Sequence, residues 1–313
     1  MIEFLQKASK AYYEGNPIIS DAEYDALEQV YGKNNVGYVS SGTIPHMFPM
    51  FSLAKCYDIT NPPFPIGKDV VTTPKLDGAA ISTLYVDGTL VLALTRGDGT
   101  AGRDITDKVK CLVPEYIDVN GVIQVTGEVV AHADIPNSRN YASGALNLKS
   151  LDEFKTRIGL AFIAYGLESS VPFHSSLWTD LMRIVQSWGF NTVTSYKESI
   201  GDVFPTDGRV YRINNIAKFK AAGYTSSFPK GAFALKDREV GPTTKLLGVD
   251  WQVGKSGVVS PVAILEPVMV GDAKVSRATL HNIEYIRALG LEIGCDVEVI
   301  RAGEIIPRVV RRV

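Results

Sequence analysis

Residues 79–95 read AAISTLYVDGTLVLALT, and this stretch decides the class of fold. Two runs rich in aliphatic and β-branched residues flank Asp87–Gly88, a dipeptide typical of two-residue hairpin turns. Further strand-like runs follow at VIQVTGEVVA, LAFIAYGL, GRVYRI and GAFALK, and a helical pattern lies within SSLWTDLMRIVQSWGF. Strands and helices do not alternate in the regular rhythm of a doubly wound sheet, so the pattern predicts a mixed α+β fold.

The two ends of the chain differ from this middle part. The first residues read as two helices, and residues 32–66 read as an irregular segment rich in proline. After Lys236, five short β runs and one helical run are typical of a small Greek-key barrel such as an OB-fold. We therefore expect a short helical N-terminal domain over 1–45, an α+β domain over 46–236 and a barrel over 237–313.

The composition excludes several classes of protein. The 313 residues are 45% hydrophobic and 21% charged, with a formal net charge of −2, which is typical of a globular chain and does not by itself indicate a nucleic-acid partner. No apolar run reaches the roughly 18 residues that span a bilayer, and the N-terminus lacks signal-peptide features, so we expect a cytoplasmic protein without a membrane partner. The scattered cysteines Cys56, Cys111 and Cys295 predict neither a disulfide framework nor a zinc site.

The string KLDG at 75–78 stands directly before the hairpin. Alone it is a weak signal, because Lys and Asp two residues apart are common on exposed strands. Further motifs follow it in order: TRGDGTAG (95–102), TGEV (126–129), NSRNYASG (137–144), FIAYG (162–166), DGRVYR (207–212) and AFALK (232–236). Their order and spacing resemble the nucleotidyltransferase core of NAD-dependent DNA ligases.

The tail of the chain extends this resemblance. The strings QVGKSGVVSPVAILEPV, VSRATLHN and RAGEIIP resemble the OB-fold of the same family. The resemblance thus covers essentially the whole chain. It implies an α+β fold in which a nucleotidyltransferase (adenylation) domain lies between a short helical N-terminal domain and a C-terminal OB-fold β-barrel.

The resemblance implies that Lys75 is a nucleophile. In a covalent nucleotidyl transfer a lysine amine attacks an α-phosphate and forms a phosphoramidate, which requires the neutral amine. Neighbouring cations and partial burial favour the neutral form of a lysine. Arg212 and Lys236 occupy positions that in the family surround the phosphate, where they would stabilise the developing negative charge.

Three acidic positions complete this group by the same resemblance. Glu128 would hold the ribose hydroxyls, while Asp77 and Asp207 are candidates for contacts with the lysine and with a metal ion. Mg²⁺ is expected, through Asp77, Asp207 or the substrate phosphates, because phosphoryl-type transfer relies on charge neutralisation. Taken alone, Glu128 would be interpreted as a solvated strand residue.

The remaining positions that the resemblance assigns to the nucleotide or the nick are Ser52, Leu53, Thr73, Arg96, Arg139 and Tyr165. Arg96 would contact the ribose or the 3′ side of a nick, Arg139 a phosphate, and Tyr165 the adenine ring, on which an aromatic face stacks. Without the other motifs, Arg96 would be interpreted as part of a tight turn and Tyr165 as strand core.

The segment YYEGNPIISDAEYD at 12–25 indicates the nucleotide donor. ATP-dependent relatives share the KxDG string but have no equivalent of this segment, which in the NAD family recognises the nicotinamide mononucleotide half. The matching positions are Tyr12, Tyr13, Asp21, Tyr24 and Asp25. The last three have i, i+3, i+4 spacing, which places them on one helical face where tyrosines and carboxylates can meet a pyridinium ring. The alternative is that Asp21 is simply a first-turn acid favoured by the helix dipole.

Several positions depart from the family pattern. Thr73 stands where Glu is common, Arg212 where Lys is usual, and Tyr13 where His is frequent; Thr126 and Asn147 replace arginines. Arg212 keeps the charge but is a planar fork, so the phosphate geometry is expected to differ. Full-length family members continue past the OB-fold into a zinc finger, helix-hairpin-helix motifs and a BRCT domain. The chain is therefore interpreted as a minimal enzyme, as one subunit whose partner supplies the grip on DNA, or as an expressed fragment, and we favour the first two.

The resemblance implies a DNA ligase of replication and repair. Lys75 would take AMP from NAD⁺ and release nicotinamide mononucleotide, pass the AMP to the 5′-phosphate of a nick in double-stranded DNA, and leave the 3′-hydroxyl to displace it. Two alternatives stay open. One is an adenylation subunit that needs a partner chain for sealing, and the other is a DNA-binding relative that has lost activity, which the replacement at Arg212 suggests.

Overall fold

The chain divides into two compact units, Met1–Asp237 and Arg238–Val313, in a computed structural model of the protein. The structure describes residues 4, 5, 7, 8, 19, 24, 27, 30, 31, 42–195, 200–236, 240–253, 259–271, 273–302 and 306–313. The division into 1–45 and 46–236 within the first unit stays a prediction.

Strands and short helices make up both units. The described strands are β1 (Thr43–Pro45), β2 (Ala54–Cys56), β3 (Val70–Leu76), β4 (Ala79–Val86), β5 (Thr89–Thr95), β6 (Ala101–Arg103), β7 (Val122–Ala131), β8 (Leu160–Ser169), β9 (Asn191–Thr192), β10 (Thr206–Ile213), β11 (Ala232–Leu235), β12 (Thr243–Val253), β13 (Val259–Val270), β14 (Ala273–Thr279), β15 (Asp296–Ala302) and β16 (Ile306–Arg312). The described helices are α1 (Thr106–Val109), α2 (Ser138–Asn147), α3 (Leu151–Lys155), α4 (Trp178–Ser187), α5 (Ile200–Val203), α6 (Ile216–Ala222) and α7 (Ile283–Ala288). Residues 4, 5, 7, 8, 24, 27, 30 and 31 are also helical.

A five-stranded sheet of order β5-β4-β7-β8-β9 forms the centre of the first unit. Its first hairpin is the predicted one, because Val86 pairs with Thr89 and leaves only Asp87 and Gly88 in the turn. Both turn residues have positive φ, 45° and 79°, as a type I′ turn requires. The hairpin prediction is therefore confirmed, and it sets the direction of the strand that follows the KLDG string.

A second sheet has the order β2-β11-β10-β3, and the pair β1–β6 forms a separate two-stranded sheet. Strand β3 lies at the edge of the second sheet and contains Pro74, which an edge strand tolerates because one side of it makes no ladder hydrogen bonds. Lys75 and Leu76 still belong to this strand. The nucleophile candidate thus lies on a strand.

Strand β4 separates two apolar clusters by the alternation of its side chains. Ile81 and Tyr85 lie in the larger cluster, with Met182 of α4, whereas Leu84 and Val86 lie in the other cluster. Helical residues from the start of the chain cover that second face, namely Leu5, Ala8, Leu27 and Tyr31. Burial of such side chains stabilises the sheet by about 1.5–3 kcal/mol for each large one.

The second unit is a closed barrel with the strand order β12-β13-β14-β16-β15. Its interior holds Leu246, Leu265, Val297 and Val299, all nearly or fully buried. The predicted α+β fold with a C-terminal barrel is confirmed. Among the residues that the structure describes, no helix has the length and apolar character needed to cross a membrane.

Candidate active site

A cavity of about 760 Å³ in the first unit is lined by side chains from both of its larger sheets. Alternate residues of the second sheet face it, such as Thr73 and Lys75 on β3 and Val210 and Arg212 on β10. This spacing follows from the period of two along a strand, since every second side chain points to the same face. The cavity therefore collects residues from motifs that are far apart in sequence.

Lys75 lies on the wall of this cavity and donates a hydrogen bond to Asp207. Its Nζ atom is 2.6 Å from Oδ1 of Asp207, and Nζ of Lys236 is 2.6 Å from Oδ2 of the same carboxylate. Burial alone would raise the pKa of Asp207, but the hydrogen bonds from Lys236 and Lys75 outweigh it and hold that pKa below its usual value. We call these three side chains the ionic end of the pocket. The sequence predicted cationic surroundings for Lys75 and named Asp207 as a candidate for contact with it, and the structure places Asp207 in direct contact with Lys75.

A β-bulge brings Asp207 into this position. Thr206 pairs with Leu76 and Arg209 with Pro74, so β10 contains one residue more than β3 over this interval. Gly208 has φ of +135°, and a Cβ atom there would lie 2.1 Å from the carbonyl oxygen of Leu235. The Asp-Gly dipeptide is therefore required by backbone geometry as well as by charge.

Asp77 and Gly78 complete the KLDG string at the turn into β4. Asp77 forms an ion pair with Arg139, in which Nη1 and Oδ1 are 3.0 Å apart, so two predicted site residues are in contact. A Cβ atom on Gly78 would lie 2.2 Å from the carbonyl oxygen of Val129 on β7. Only glycine fits here, because the turn runs against the backbone of the strand that carries Glu128.

Glu128 and Tyr165 meet on neighbouring strands, β7 and β8. The Tyr165 hydroxyl donates to Oε2 of Glu128 at 3.4 Å. Burial raises the pKa of Glu128 to about 7, although Lys75 and the Gly78 N–H act in the opposite direction. Tyr165 is the extra residue of a second bulge, since Thr126 pairs with Gly166 but Gly127 pairs with Ala164. The bulge turns the phenol into the pocket, where burial raises its pKa and keeps it a hydrogen-bond donor.

Arg212 lies among aromatic rings. Its guanidinium carbon is 3.8 Å from the ring centre of Phe219 and 5.4 Å from that of Trp178. Burial lowers the pKa of Arg212 to about 10, so the group stays charged at neutral pH. Its Nε atom has no hydrogen-bond partner within the described part of the chain. We call Arg212, Phe219 and Trp178 the aromatic end of the pocket.

Two family models match the chain. The NAD-dependent DNA ligase adenylation domain matches residues 40–238, and the NAD-dependent DNA ligase OB-fold domain matches residues 243–313. The chain belongs to the NAD-dependent DNA ligase family. Among its relatives, "DNA ligase 1" of Nocardia farcinica is 36% identical over 95% of this chain, and "DNA ligase" of Campylobacter concisus is 32% identical over 99% of it. The chain spans 52% and 57% of the length of these two relatives.

A solved structure described as a Lig E DNA ligase with a minimal scaffold for DNA binding has a similar fold. It covers 84% of this chain and 99% of its own, with a TM-score of 0.50 and 15% sequence identity. At that identity the likeness concerns the fold alone.

The other sequence-predicted residues of this ligase-family chain divide into three groups. Ser52, Leu53, Thr73, Arg96 and Arg139 all line the pocket with the residues described above. Tyr24 does not line it but packs, partly buried, against the apolar cluster that contains Leu84 and Val86. Tyr12, Tyr13, Asp21 and Asp25 lie outside the described residues. The nicotinamide subsite therefore stays a prediction.

Sequence reasoning missed several residues that line the pocket. Trp178 and Phe219 contact Arg212, and the charge of Glu168 acts to raise the pKa of Arg212. The rings of Phe51 and Tyr224 have centroids 4.9 Å apart. Phe51 adjoins the predicted Ser52, and Glu168 follows the FIAYG string on β8. Trp178, Phe219 and Tyr224 come from segments without a recognisable motif, so only the tertiary structure could find them.

The two aspartates that the resemblance named as candidates for a metal ion are both bound by cations. Asp207 binds two lysines and Asp77 binds Arg139. Within the described ranges there is no group of three or more His, Cys, Asp or Glu side chains that could hold a metal ion. The donor set therefore does not form a metal site by itself.

Proposed function

We propose that the chain performs the NAD⁺-dependent adenylation and nick-sealing chemistry of a DNA ligase. Lys75 Nζ, after losing a proton, attacks the adenylyl phosphorus of NAD⁺; a P–N bond forms, the pyrophosphate bond breaks, and nicotinamide mononucleotide leaves. The adenylyl group then passes to a 5′-phosphate at a nick, and the 3′-hydroxyl displaces AMP and seals the strand. The contact of Lys75 with Asp207, a carboxylate that Lys236 also binds within the cavity, is the observation that carries this proposal.

Each side chain of the ionic end has a defined part in this reaction. Asp207 orients both lysines by accepting one hydrogen bond from each, 2.6 Å in length. Lys236 would stabilise the charge that develops on the phosphate, because a positioned cation in a partly desolvated site acts more strongly than one in water. Arg139 and Arg96 are further positive groups in the pocket lining, available for phosphates of the nucleotide or the DNA.

The nucleoside half is assigned to the part of the pocket that Glu128, Tyr165 and Arg212 line. Glu128 would accept hydrogen bonds from ribose hydroxyls, and the phenol of Tyr165 orients its carboxylate. The flat guanidinium of Arg212, supported by Phe219, offers a surface on which a nucleobase can stack. We assign Arg212 to this part of the pocket instead of the phosphate contact that the resemblance implied.

Mg²⁺ belongs to this proposal as an ion held chiefly by the nucleotide phosphates. Such ions are commonly bound through one or two carboxylates together with substrate phosphates, and Asp77 and Asp207 are carboxylates of the pocket lining. When bound, the ion would neutralise negative charge on the phosphates. Neither carboxylate is free of cations, so we route no step of the reaction through the ion.

Incubation with NAD⁺ that carries a radiolabel in its adenylyl phosphate, followed by addition of a nicked duplex, tests the proposal. We expect label on the protein first and sealed DNA second, and no label with Lys75→Ala. Lys218→Ala is the matched control, because Lys218 does not line the pocket and its side chain forms an exposed ion pair with Asp69. Label that remains on the protein would favour the adenylation-subunit alternative, and absence of label in the wild type would overturn the enzyme assignment.

A further inference from the structure

His46 is a nearly fully buried polar residue, with 5% of its surface exposed, and it has no part in the proposed function so far. Its Nδ1 atom lies 2.9 Å from the hydroxyl oxygen of Ser82 on β4. Its Nε2 atom lies 3.0 Å from the carbonyl oxygen of Arg96. Arg96 lines the pocket, whereas His46 itself does not.

The two contacts define the tautomer of the His46 ring. A carbonyl oxygen only accepts hydrogen bonds, so Nε2 carries the proton and donates it to Arg96, while Nδ1 accepts from the Ser82 hydroxyl. Burial lowers the pKa of His46 below its usual value, although the Arg96 carbonyl and the Asp98 carboxylate act in the opposite direction. The neutral ring therefore makes both contacts at neutral pH.

Residues 96–100, which we call the Arg96 loop, are held by a set of hydrogen bonds to neighbouring backbone. The Arg96 N–H donates to Ala80 at 3.0 Å, and the Gly99 N–H donates to the Arg96 carbonyl at 3.0 Å. The His46 N–H donates to the Thr100 carbonyl at 2.9 Å. The His46 ring thus binds the Arg96 carbonyl from outside the loop.

We propose that His46 is a positioning residue that, through Nε2, holds the backbone of Arg96 so that its guanidinium faces the pocket. This inference rests on the proposed function, because the reaction that Arg96 would serve is the one proposed above. His46 touches neither nucleotide nor nick, and its effect passes through Arg96. Displacement of one positioning group by about 1 Å can lower a rate by about 100-fold, so this contact is large enough to measure.

Two conservative variants separate the two contacts. A Gln amide nitrogen can replace Nε2, so His46→Gln keeps the donor to Arg96, whereas His46→Asn keeps only an acceptor for Ser82. We expect His46→Ala and His46→Asn to slow sealing of a pre-adenylated nick by about 10- to 100-fold and His46→Gln to restore most of the rate. Equal loss in all three variants would overturn the role of the Arg96 contact.

A double-mutant cycle with Arg96→Ala tests whether His46 acts through Arg96. We expect His46→Ala to have no further effect in the Arg96→Ala background, because the group that it positions is gone. The same loss in both backgrounds would indicate a merely structural role. Thr83→Val is the control, since Thr83 is a buried hydroxyl of the same strand that donates to Val125 and not to the loop; its effect should be the same in both backgrounds.

Nuclear magnetic resonance provides a test that does not depend on ligase activity. The ¹⁵N shifts of the His46 ring should show a proton on Nε2 and none on Nδ1. Amide hydrogen exchange at Arg96 and Gly99 should accelerate about fivefold or more in His46→Ala, as expected for loss of one hydrogen bond, but not in His46→Gln. The opposite tautomer or unchanged exchange would overturn the positioning role, even if the protein seals DNA. The expected tautomer and the expected acceleration would support that role even if the protein does not seal DNA.

Discussion

The ionic end and the aromatic end of the pocket hold cations by different means, although strand β10 contributes to both. At the ionic end Lys75 and Lys236 share the carboxylate of Asp207 at 2.6 Å. At the aromatic end the guanidinium of Arg212 lies 3.8 Å from the centre of the Phe219 ring. An ammonium group is a compact charge suited to a carboxylate or phosphate, whereas a planar guanidinium also stacks. This difference supports the proposed assignment of the phosphates to the ionic end and of the base to the aromatic end.

The largest expected effect is at the ionic end. Lys236→Ala should slow formation of the Lys75 adduct by about 10²–10³-fold, the usual cost of losing one group that stabilises developing charge. Single-turnover labelling with adenylyl-labelled NAD⁺ measures this rate. Lys230→Ala is the control, because Lys230 is an exposed lysine that does not line the pocket. A loss below threefold for Lys236→Ala would remove the distinction between the two ends.

Glu128, next to the ionic end, predicts a pH dependence of stability. Its pKa is raised from 4.5 to about 7, so the folded protein binds more protons than the unfolded chain within this interval. The contribution of Glu128 to stability is therefore complete below about pH 4.5 and is lost as the pH rises through 7, by about 3 kcal/mol at most. Urea unfolding of the wild type and of Glu128→Gln between pH 5 and 8 checks this.

In that comparison, Glu128→Gln should show a flatter dependence than the wild type, because the amide does not titrate. Parallel curves for the two proteins would mean that another group carries the effect. Glu153→Gln, a change at an exposed residue of α3, serves as the reference variant.

The bulge that places Asp207 predicts a smaller effect. Gly208→Ala introduces a side chain at φ of +135° and 2.1 Å from the Leu235 carbonyl, which should destabilise the first unit by about 1–3 kcal/mol. Because the bulge also positions Asp207, adduct formation should slow in the folded variant. Gly144→Ala is the control, since a Cβ atom there meets nothing within 4 Å. An unperturbed Gly208→Ala protein would contradict the requirement for this bulge.

The smallest effect is expected at the aromatic end. Arg212→Lys keeps the charge but loses the planar group stacked over Phe219. A cation–π interaction of this kind contributes about 0.5–2 kcal/mol. The KM for NAD⁺ should therefore rise by about 2- to 30-fold, with little change in the rate of the chemical step. A loss confined to the chemical step would indicate that Arg212 contacts the phosphate. The two ends of the pocket would then no longer differ in the part of the nucleotide that they bind.

Much of the fold could be predicted from local sequence. The hairpin at Asp87–Gly88 and the strand over 122–131 have the predicted bounds, because turn chemistry and alternation of apolar residues act over a few neighbours. Helices α2 and α6 were not predicted. The first contains Gly144 and two asparagines, residues of low helix propensity, and packing of its buried face against the sheet overrides that preference.

The sequence by itself determined the residue types of the pocket, because the ordered motifs name Lys75, Glu128, Asp207 and Lys236 before any coordinate is known. Only the tertiary structure decided their contacts. The bulges that aim Asp207 and Tyr165 into the cavity depend on the register between strands 37 or more residues apart, and the aromatic support of Arg212 comes from two helices. Register and packing are cooperative properties of the folded chain, so no local pattern encodes them.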